Sequence, residues 1–375
     1  MTTNQIAIGA ALALLVGTGL FAEEAHKKAS MPQFQVDPFW PKMPPKTMFG
    51  VVAGVNVDAK DHVWVIHRPA TLTKDEKGLT TDPPGGLCCK PAPPVMEFDN
   101  DGNFIQGWGG PGPGYEWPLD LDEHGIFVDY KDHVWIGAGG GANSKVESQI
   151  LKFTRDGRFL MQIGHRGQSK GSNDPENLRE AADMYVWPKT NELFVADGYG
   201  NRRVIVYDAD TGAYKRHWGA YGNKPDDSVS KSPVPEGPGS PQFNTVHHLR
   251  LSSDGMVYVA DRRNDRVQVF TLEGKFLKEV FIARDTKVGT GTVFSISFSA
   301  DPQQKYMYVV DLSNAVIWIL NRQTLDILGS FGQMGHYAGQ FIRPHNSAVD
   351  SKGNLYVTEA TEGRRVQKFL FKGVK

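Results

Sequence analysis

Three histidines share one position in a six-fold internal repeat. The repeats align on Asp58, Asp129, Trp187, Ser252, Ser299 and Asp350. Five residues before these positions stand Ala53, His124, Ala182, His247, Phe294 and His345. Histidine therefore occupies every second repeat. Three imidazoles that meet at one point and leave a fourth position open form the ligand set of a catalytic zinc site.

The repeat itself is marked by an apolar–aromatic–apolar triplet that is typical of a buried strand. Its aromatic residues are Trp64, Trp135, Phe194, Tyr258, Tyr308 and Tyr356. The intervals between them are 71, 59, 64, 50 and 48 residues. Such intervals suit four-stranded blades of about 40–50 residues with inserted loops. The sequence therefore predicts an all-β fold, a six-bladed β-propeller.

The ends of the chain indicate how the ring closes. The sixth repeat reaches only its third strand, Val366–Phe369, and Phe34–Trp40 has the pattern of the missing strand. Closure by this N-terminal strand would remove the open sheet edges that invite aggregation. In a closed ring the innermost strands face the axis, so alternate blades would place the three imidazoles roughly 120° apart.

Two interpretations of the histidines stay open at this point. They are metal ligands, for which zinc leads over copper, iron and manganese, or they line the channel and hydrogen-bond to their neighbours. An isolated histidine would more often be structural. Three histidines in register supply the ligand count of a metal site, so the register favours metal binding.

The chain also resembles a known family. Its turns at Ala196–Val204 and Ala260–Val267 look like NHL repeats, so the predicted fold is an NHL-type propeller of residues 31–375. From about Gly54 to Phe369 the chain resembles the lyase core of peptidylglycine α-amidating enzymes. That family holds zinc with histidines in the contexts His-Gly-Leu, His-Ser-Leu and Pro-His-Asp. The matching segments here are His124-Gly125-Ile126, His247-His248-Leu249 and Pro344-His345-Asn346.

The resemblance implies further site residues. The family's catalytic tyrosine lies in an Asp-Gly-Tyr turn, which Tyr199 matches, and its two active-site arginines match Arg68 and Arg262. Two positions depart from the family. Asn346 replaces an aspartate that serves a structural calcium, which weakens the expectation of Ca²⁺, and Arg343 replaces a methionine near the metal.

The expected function follows from this resemblance. It is a zinc-dependent lyase that cleaves the C–N bond of an α-hydroxyglycine-like carboxylated substrate, small or derived from a peptide, to an amide and glyoxylate. Two alternatives stay open: a non-catalytic NHL propeller that binds a partner or acts as a scaffold, and a different metal-dependent activity, such as hydrolysis, on the same histidines.

The N-terminal sequence indicates where in the cell the protein is located. The apolar run Ile6–Ala22 predicts that residues 1–30 are a signal peptide, with an uncleaved membrane tether through residues 6–22 as the alternative. We therefore expect an exported protein, periplasmic or extracellular.

Lys plus Arg (41) nearly equals Asp plus Glu (42), which does not favour a nucleic-acid partner. The adjacent Cys88 and Cys89 are small loop residues or form a vicinal disulfide.

Overall fold

The computed structural model describes residues 30–141, 146–229 and 238–375. Six antiparallel four-stranded sheets form the blades of a propeller, which confirms the predicted fold. The predicted signal segment, and most of an inserted loop at Ser228–Pro241, lie outside the described residues. Among the described residues, no helix has the length and apolarity needed to cross a membrane.

The strands of the first half of the chain are β1 (Pro32–Asp37), β2 (Thr47–Met48), β3 (Val51–Val57), β4 (Val63–Arg68), β5 (Lys90–Pro91), β6 (Val95–Phe98), β7 (Phe104–Trp108), β8 (Glu123–Val128), β9 (Val134–Ala138), β10 (Ile150–Phe153), β11 (Phe159–Ile163), β12 (Ala181–Trp187) and β13 (Glu192–Asp197). The strands of the second half are β14 (Arg203–Asp208), β15 (Tyr214–Trp218), β16 (Val246–Leu251), β17 (Met256–Asp261), β18 (Arg266–Thr271), β19 (Phe276–Phe281), β20 (Ser295–Phe298), β21 (Tyr306–Asp311), β22 (Val316–Asn321), β23 (Ile327–Phe331), β24 (Pro344–Val349), β25 (Leu355–Glu359) and β26 (Arg365–Val374). Short 3₁₀ helices span Pro69–Thr71, Gly78–Thr80, Ala220–Gly222 and Arg262–Asn264.

Blades one to five are β3-β4-β6-β7, β8 to β11, β12 to β15, β16 to β19 and β20 to β23. Blade six is β24-β25-β26-β1, in which β1 pairs antiparallel with β26 and Val36 lies opposite Phe369. The predicted closure by the N-terminal strand is therefore confirmed, and both ends of the described chain are tied into one sheet.

The repeated aromatic residues pack between the blades. All six are at most 2% exposed, and burying a large apolar side chain stabilises a fold by about 1.5–3 kcal/mol. The polar edges of some rings are satisfied by the repeated acid at the end of the innermost strand. Trp64 Nε1 donates to Asp58 at 3.0 Å, and Trp135 Nε1 donates to Asp129 at 2.9 Å. The repeat thus fixes the innermost strands, which carry the histidines.

Buried ion pairs fix the turns that follow the second strand of several blades. Asp197 accepts a hydrogen bond from Arg203 Nε at 2.8 Å, and Asp261 accepts one from Arg266 Nε at the same distance. All four side chains are fully buried. The first pair brackets the turn that contains Tyr199, and the second holds the turn that contains Arg262.

The two cysteines lie in the loop between β4 and β6. Their sulfur atoms are bonded to each other, so the vicinal disulfide is the form that the structure contains.

Candidate metal centre

The three predicted ligands meet on the axis of the propeller. His124, His247 and His345 lie on β8, β16 and β24, the innermost strands of blades two, four and six, and each is at most 6% exposed. Their ring centroids are 4.8–5.0 Å apart, which makes a nearly equilateral triangle. One ligand atom from each ring lies within 4.8 Å of the others, so the three can hold one metal ion.

A backbone irregularity accompanies each histidine. The register of the innermost strand shifts between Glu123 and Ile126, between Val246 and His248, and between Pro344 and Ser347. A bulge of this kind inserts an extra residue into a strand and redirects its side chain. A local departure from regular strand pairing therefore sets the direction of each imidazole.

Each imidazole is oriented by a main-chain carbonyl of the next blade. The Nδ1 atoms of His124, His247 and His345 lie 2.7, 2.6 and 2.7 Å from the carbonyl oxygens of Ala182, Phe294 and Ala53, respectively. Those acceptors occupy the same repeat position as the histidines. Because a carbonyl only accepts, Nδ1 carries the proton and Nε2 keeps its lone pair, as is usual for metal-binding histidine.

Burial keeps the three rings neutral. It lowers the pKa of His345 to about 3 and holds the pKa values of His124 and His247 well below their ordinary value near 6.5. Neighbouring positive charges act in the same direction. Only the neutral imidazole binds a metal, so these rings are prepared as ligands at neutral pH.

Tyr199 brings its hydroxyl to the same point. The oxygen lies 3.1 Å from Nε2 of His124 and 3.0 Å from Nε2 of His247. Arg262 donates to it from Nη1 at 3.0 Å and stacks over the rings of Tyr199 and Phe294. A phenolic oxygen that accepts a hydrogen bond from a guanidinium is stabilised when it carries negative charge.

Arg68 lies in the same cavity, which has a volume of about 320 Å³. Its Nε and Nη2 groups donate to the main-chain oxygens of Glu123 and Gly139 at 2.8 and 3.0 Å. These bonds to blade two hold the guanidinium in place. All six residues predicted for the site from the sequence thus lie together.

The same cavity contains residues that the sequence did not assign to it. Arg263, Arg343 and Glu180 line it as well. The sequence marks Arg343 only as a replacement for a methionine of the family, and Arg263 is simply the residue after Arg262. A spacing rule cannot show that loops of blades four and six direct these side chains into one cavity.

Neighbouring strand residues alternate faces, so regular alternation predicts that His248, which follows a proposed ligand, points away from the axis. The structure contradicts this prediction. The ring is fully buried between blades, with Nε2 3.5 Å from Asp183 of blade three and Nδ1 3.2 Å from the Ile296 amide of blade five. The bulge at His247 breaks the alternation, so two consecutive histidines face inward.

A calcium ion would have to use Asn346 and its surroundings. Asn346 and Asp183 both neighbour the His248 ring. The carboxylate of Asp183 already pairs with Arg250 Nη1 at 2.7 Å. Calcium takes six to eight oxygen ligands and prefers carboxylates. Asp183 Oδ1 and Asn346 Oδ1 are buried and have no hydrogen-bond partner among the described residues. A neutral amide and a carboxylate paired with an arginine are nevertheless a poorer ligand set than calcium prefers.

Comparisons with known proteins find relatives of two kinds. No family model matches the chain. NHL repeat-containing protein 3 of Homo sapiens is 27% identical over 287 residues, 74% of this chain and 73% of that protein. A protein of Caenorhabditis elegans named as a probable peptidyl-α-hydroxyglycine α-amidating lyase is 23% identical over 335 residues, 85% and 83% of the two chains. The chain is a homologue of NHL-repeat proteins and amidating lyases.

Longer relatives share the same region. The peptidylglycine α-amidating monooxygenase of Rattus norvegicus is 26% identical over 324 residues, which are 83% of this chain but only 29% of the monooxygenase. Among solved structures, a streptogramin B lyase matches with a TM-score of 0.52 and 14% identity, over 90% of this chain and 98% of the other. At that identity the match shows the propeller fold alone.

Proposed function

We propose that the protein is a zinc-dependent lyase that cleaves the C–N bond of a carboxylated α-hydroxyglycine derivative and releases an amide and glyoxylate. The convergence of three imidazoles, the Tyr199 hydroxyl and Arg262 on one point carries the proposal. The similarity to an amidating lyase over 85% of the chain supports the substrate class.

The reaction is redox-neutral. The α-hydroxyl loses its proton, its C–O bond becomes the carbonyl of glyoxylate, and the C–N bond breaks with its electron pair going to nitrogen. The nitrogen then takes up a proton, which completes the amide. A zinc ion held by His124, His247 and His345 would supply the Lewis acidity that lowers the pKa of the substrate hydroxyl.

Tyr199 is the candidate base for the hydroxyl proton. Its oxygen lies within 3.1 Å of two ligand nitrogens. A substrate hydroxyl bound beside the histidines would therefore lie within hydrogen-bonding reach of this oxygen. Arg262 stabilises negative charge on that oxygen through its hydrogen bond of 3.0 Å. The pair can therefore accept a proton and later return it to the leaving nitrogen.

Arg68 and Arg262 are the candidate partners of the substrate carboxylate. Guanidinium groups bind carboxylates through paired hydrogen bonds, which fixes the orientation of the substrate as well as its position. The main-chain bonds of Arg68 hold it in place before a substrate arrives. Preformed contacts of this kind reduce the entropy that binding costs.

The test is glyoxylate release from an N-acyl-α-hydroxyglycine by the protein supplied with zinc. We expect turnover by the wild type, loss in His124→Ala and full activity in His336→Ala, which changes an exposed histidine. Equal glyoxylate release by wild type and His124→Ala, or none above the spontaneous rate in wild type, would contradict the proposal.

We also infer that the protein is exported, to the periplasm or the exterior, with Ile6–Ala22 as the signal or as a membrane tether. N-terminal sequencing of the protein from membrane and soluble fractions tests this inference. A mature N-terminus near residue 23 supports a cleaved signal, and a full-length membrane-bound chain supports a tether. A full-length chain in the cytosol would contradict export.

A binding propeller without catalysis is the second candidate. It rests on the similarity to NHL repeat-containing protein 3, which spans 74% of this chain. This candidate predicts that a bound partner is retained in His124→Ala, whereas the lyase proposal predicts that the same variant loses function.

A further inference from the structure

The cavity lined by Tyr199, His124 and His345 is strongly basic. Four arginines line it, and the described lining residues include a single acid, Glu180. Four positive charges against one negative leave a formal excess of three. An excess of positive charge that lines one cavity favours an anionic ligand, because charge inside a cavity is screened less than charge on an open surface.

The arginines also present hydrogen-bond donors that lack acceptors. The Nε atoms of Arg262, Arg263 and Arg343 are buried, and none has a hydrogen-bond partner among the described residues. A buried donor without an acceptor costs about 1–3 kcal/mol. All three arginines line the cavity, so its wall holds donor groups that the described residues do not saturate.

Arg343 is available to such a ligand. It lies in the turn before β24 with a left-handed φ of +58°, and it forms an ion pair with Glu362, with 3.7 Å between Nε and Oε2. Glu362 is largely exposed, so this pair neutralises Arg343 only weakly. Arg343 lines the same cavity as Arg68, Arg262 and His345.

Arg263 is the fourth cation. It follows Arg262 in the 3₁₀ helix Arg262–Asn264 and lines the same cavity. In the reaction proposed above, one substrate carboxylate occupies Arg68 and Arg262. Arg263 and Arg343 then remain for a second anionic group, and a cavity of about 320 Å³ holds a compact ligand.

We propose that the substrate is an α-hydroxyglycine derivative with a second carboxylate in its acyl chain, and that Arg263 and Arg343 select for this second acid. The inference rests on the proposed lyase function for the identity of the first carboxylate. It assigns a role to two arginines outside the set expected from the amidating lyases.

Binding of two uncleavable analogues tests the inference without relying on catalysis. N-glutarylglycine and N-pentanoylglycine have acyl chains of equal carbon number and differ in the terminal carboxylate. Their affinities are measured by calorimetry with the full protein in zinc-containing buffer. The variants are Arg263→Met, Arg343→Met and their double, which keep chain length and remove charge, and the exposed Arg158→Met is the control.

We expect wild type and Arg158→Met to bind the glutaryl compound at least about tenfold more tightly, in line with a well-placed charged contact. Each single variant should lose part of this preference and the double variant nearly all of it. Equal affinities in wild type, or a preference that survives in a double variant with an unchanged melting temperature, would overturn the inference.

Glyoxylate release from the matching α-hydroxyglycines separates the two proposals. If the binding preference holds and neither compound is cleaved, the lyase proposal fails and the preference for a second acid stands. If both compounds are cleaved with equal kcat/KM and bound equally, the lyase proposal stands and the assignment of Arg263 and Arg343 is wrong.

Discussion

Replacing Arg203 with methionine should destabilise the protein severely. The guanidinium is fully buried, donates to Asp197 at 2.8 Å, and also bonds to three main-chain oxygens within residues 172–177. Removing one partner of a buried pair leaves an uncompensated charge and costs about 3–5 kcal/mol. The turn that carries Tyr199 begins at Asp197, so the loss strikes the structure that positions the candidate base.

A matched variant isolates burial as the cause. Lys60 and Asp132 form an ion pair with the same 2.8 Å separation, but their side chains are 52% and 45% exposed. An exposed pair contributes about 0–1 kcal/mol, so Lys60→Met should change little. Distance alone would predict equal effects for the two substitutions, whereas burial predicts very different ones.

Thermal unfolding followed by circular dichroism measures the difference. At roughly 2 °C per kcal/mol for a large domain, Arg203→Met should lower Tm by about 6–10 °C, and Lys60→Met by no more than about 2 °C. Equal shifts in the two variants would refute the reasoning, as would an Arg203→Met protein that melts within about 2 °C of wild type.

Further predictions concern the site and its surroundings. Tyr199→Phe should keep its metal and lose about 10²–10⁴-fold in kcat, and unchanged turnover would exclude Tyr199 as the base. In Gly125→Ala the new Cβ would lie 2.5 Å from the Ala182 oxygen that orients His124, so zinc affinity measured by chelator competition should fall about 10–100-fold. An affinity equal to that of wild type would show that this carbonyl does not matter. Burial lowers the pKa of His67 to about 4. Because the unfolded chain binds this proton below about pH 6.5 and the folded protein does not, stability should fall by up to about 3 kcal/mol from pH 6.5 to 4. His67→Gln should show a shallower fall in Tm over that range, and an identical fall would contradict the assignment.

Much of the fold could be predicted because it is a repeat. Six copies of one pattern define the blades, and the unmatched strand at each end of the chain defines the closure. The register of His124, His247 and His345 follows from the same alignment. Periodicity is readable from sequence because each blade must bury the same faces against its neighbours.

The rest of the site depends on local backbone geometry. The bulge at His247 turns His248 inward, although regular alternation would turn it outward. The carbonyls that orient the imidazoles are main-chain atoms and leave no mark on residue type. Arg343 reaches the cavity from a turn with positive φ, a conformation that side-chain patterns do not reveal.

The most direct test of the metal centre is the metal content of the purified protein after zinc is offered and excess is removed. Elemental mass spectrometry compares wild type, His124→Ala and the exposed-histidine control His336→Ala. We predict about one zinc per chain in wild type and in the control, and a loss of that zinc in His124→Ala. No zinc in wild type, or the same amount in His124→Ala, would contradict the three-histidine site.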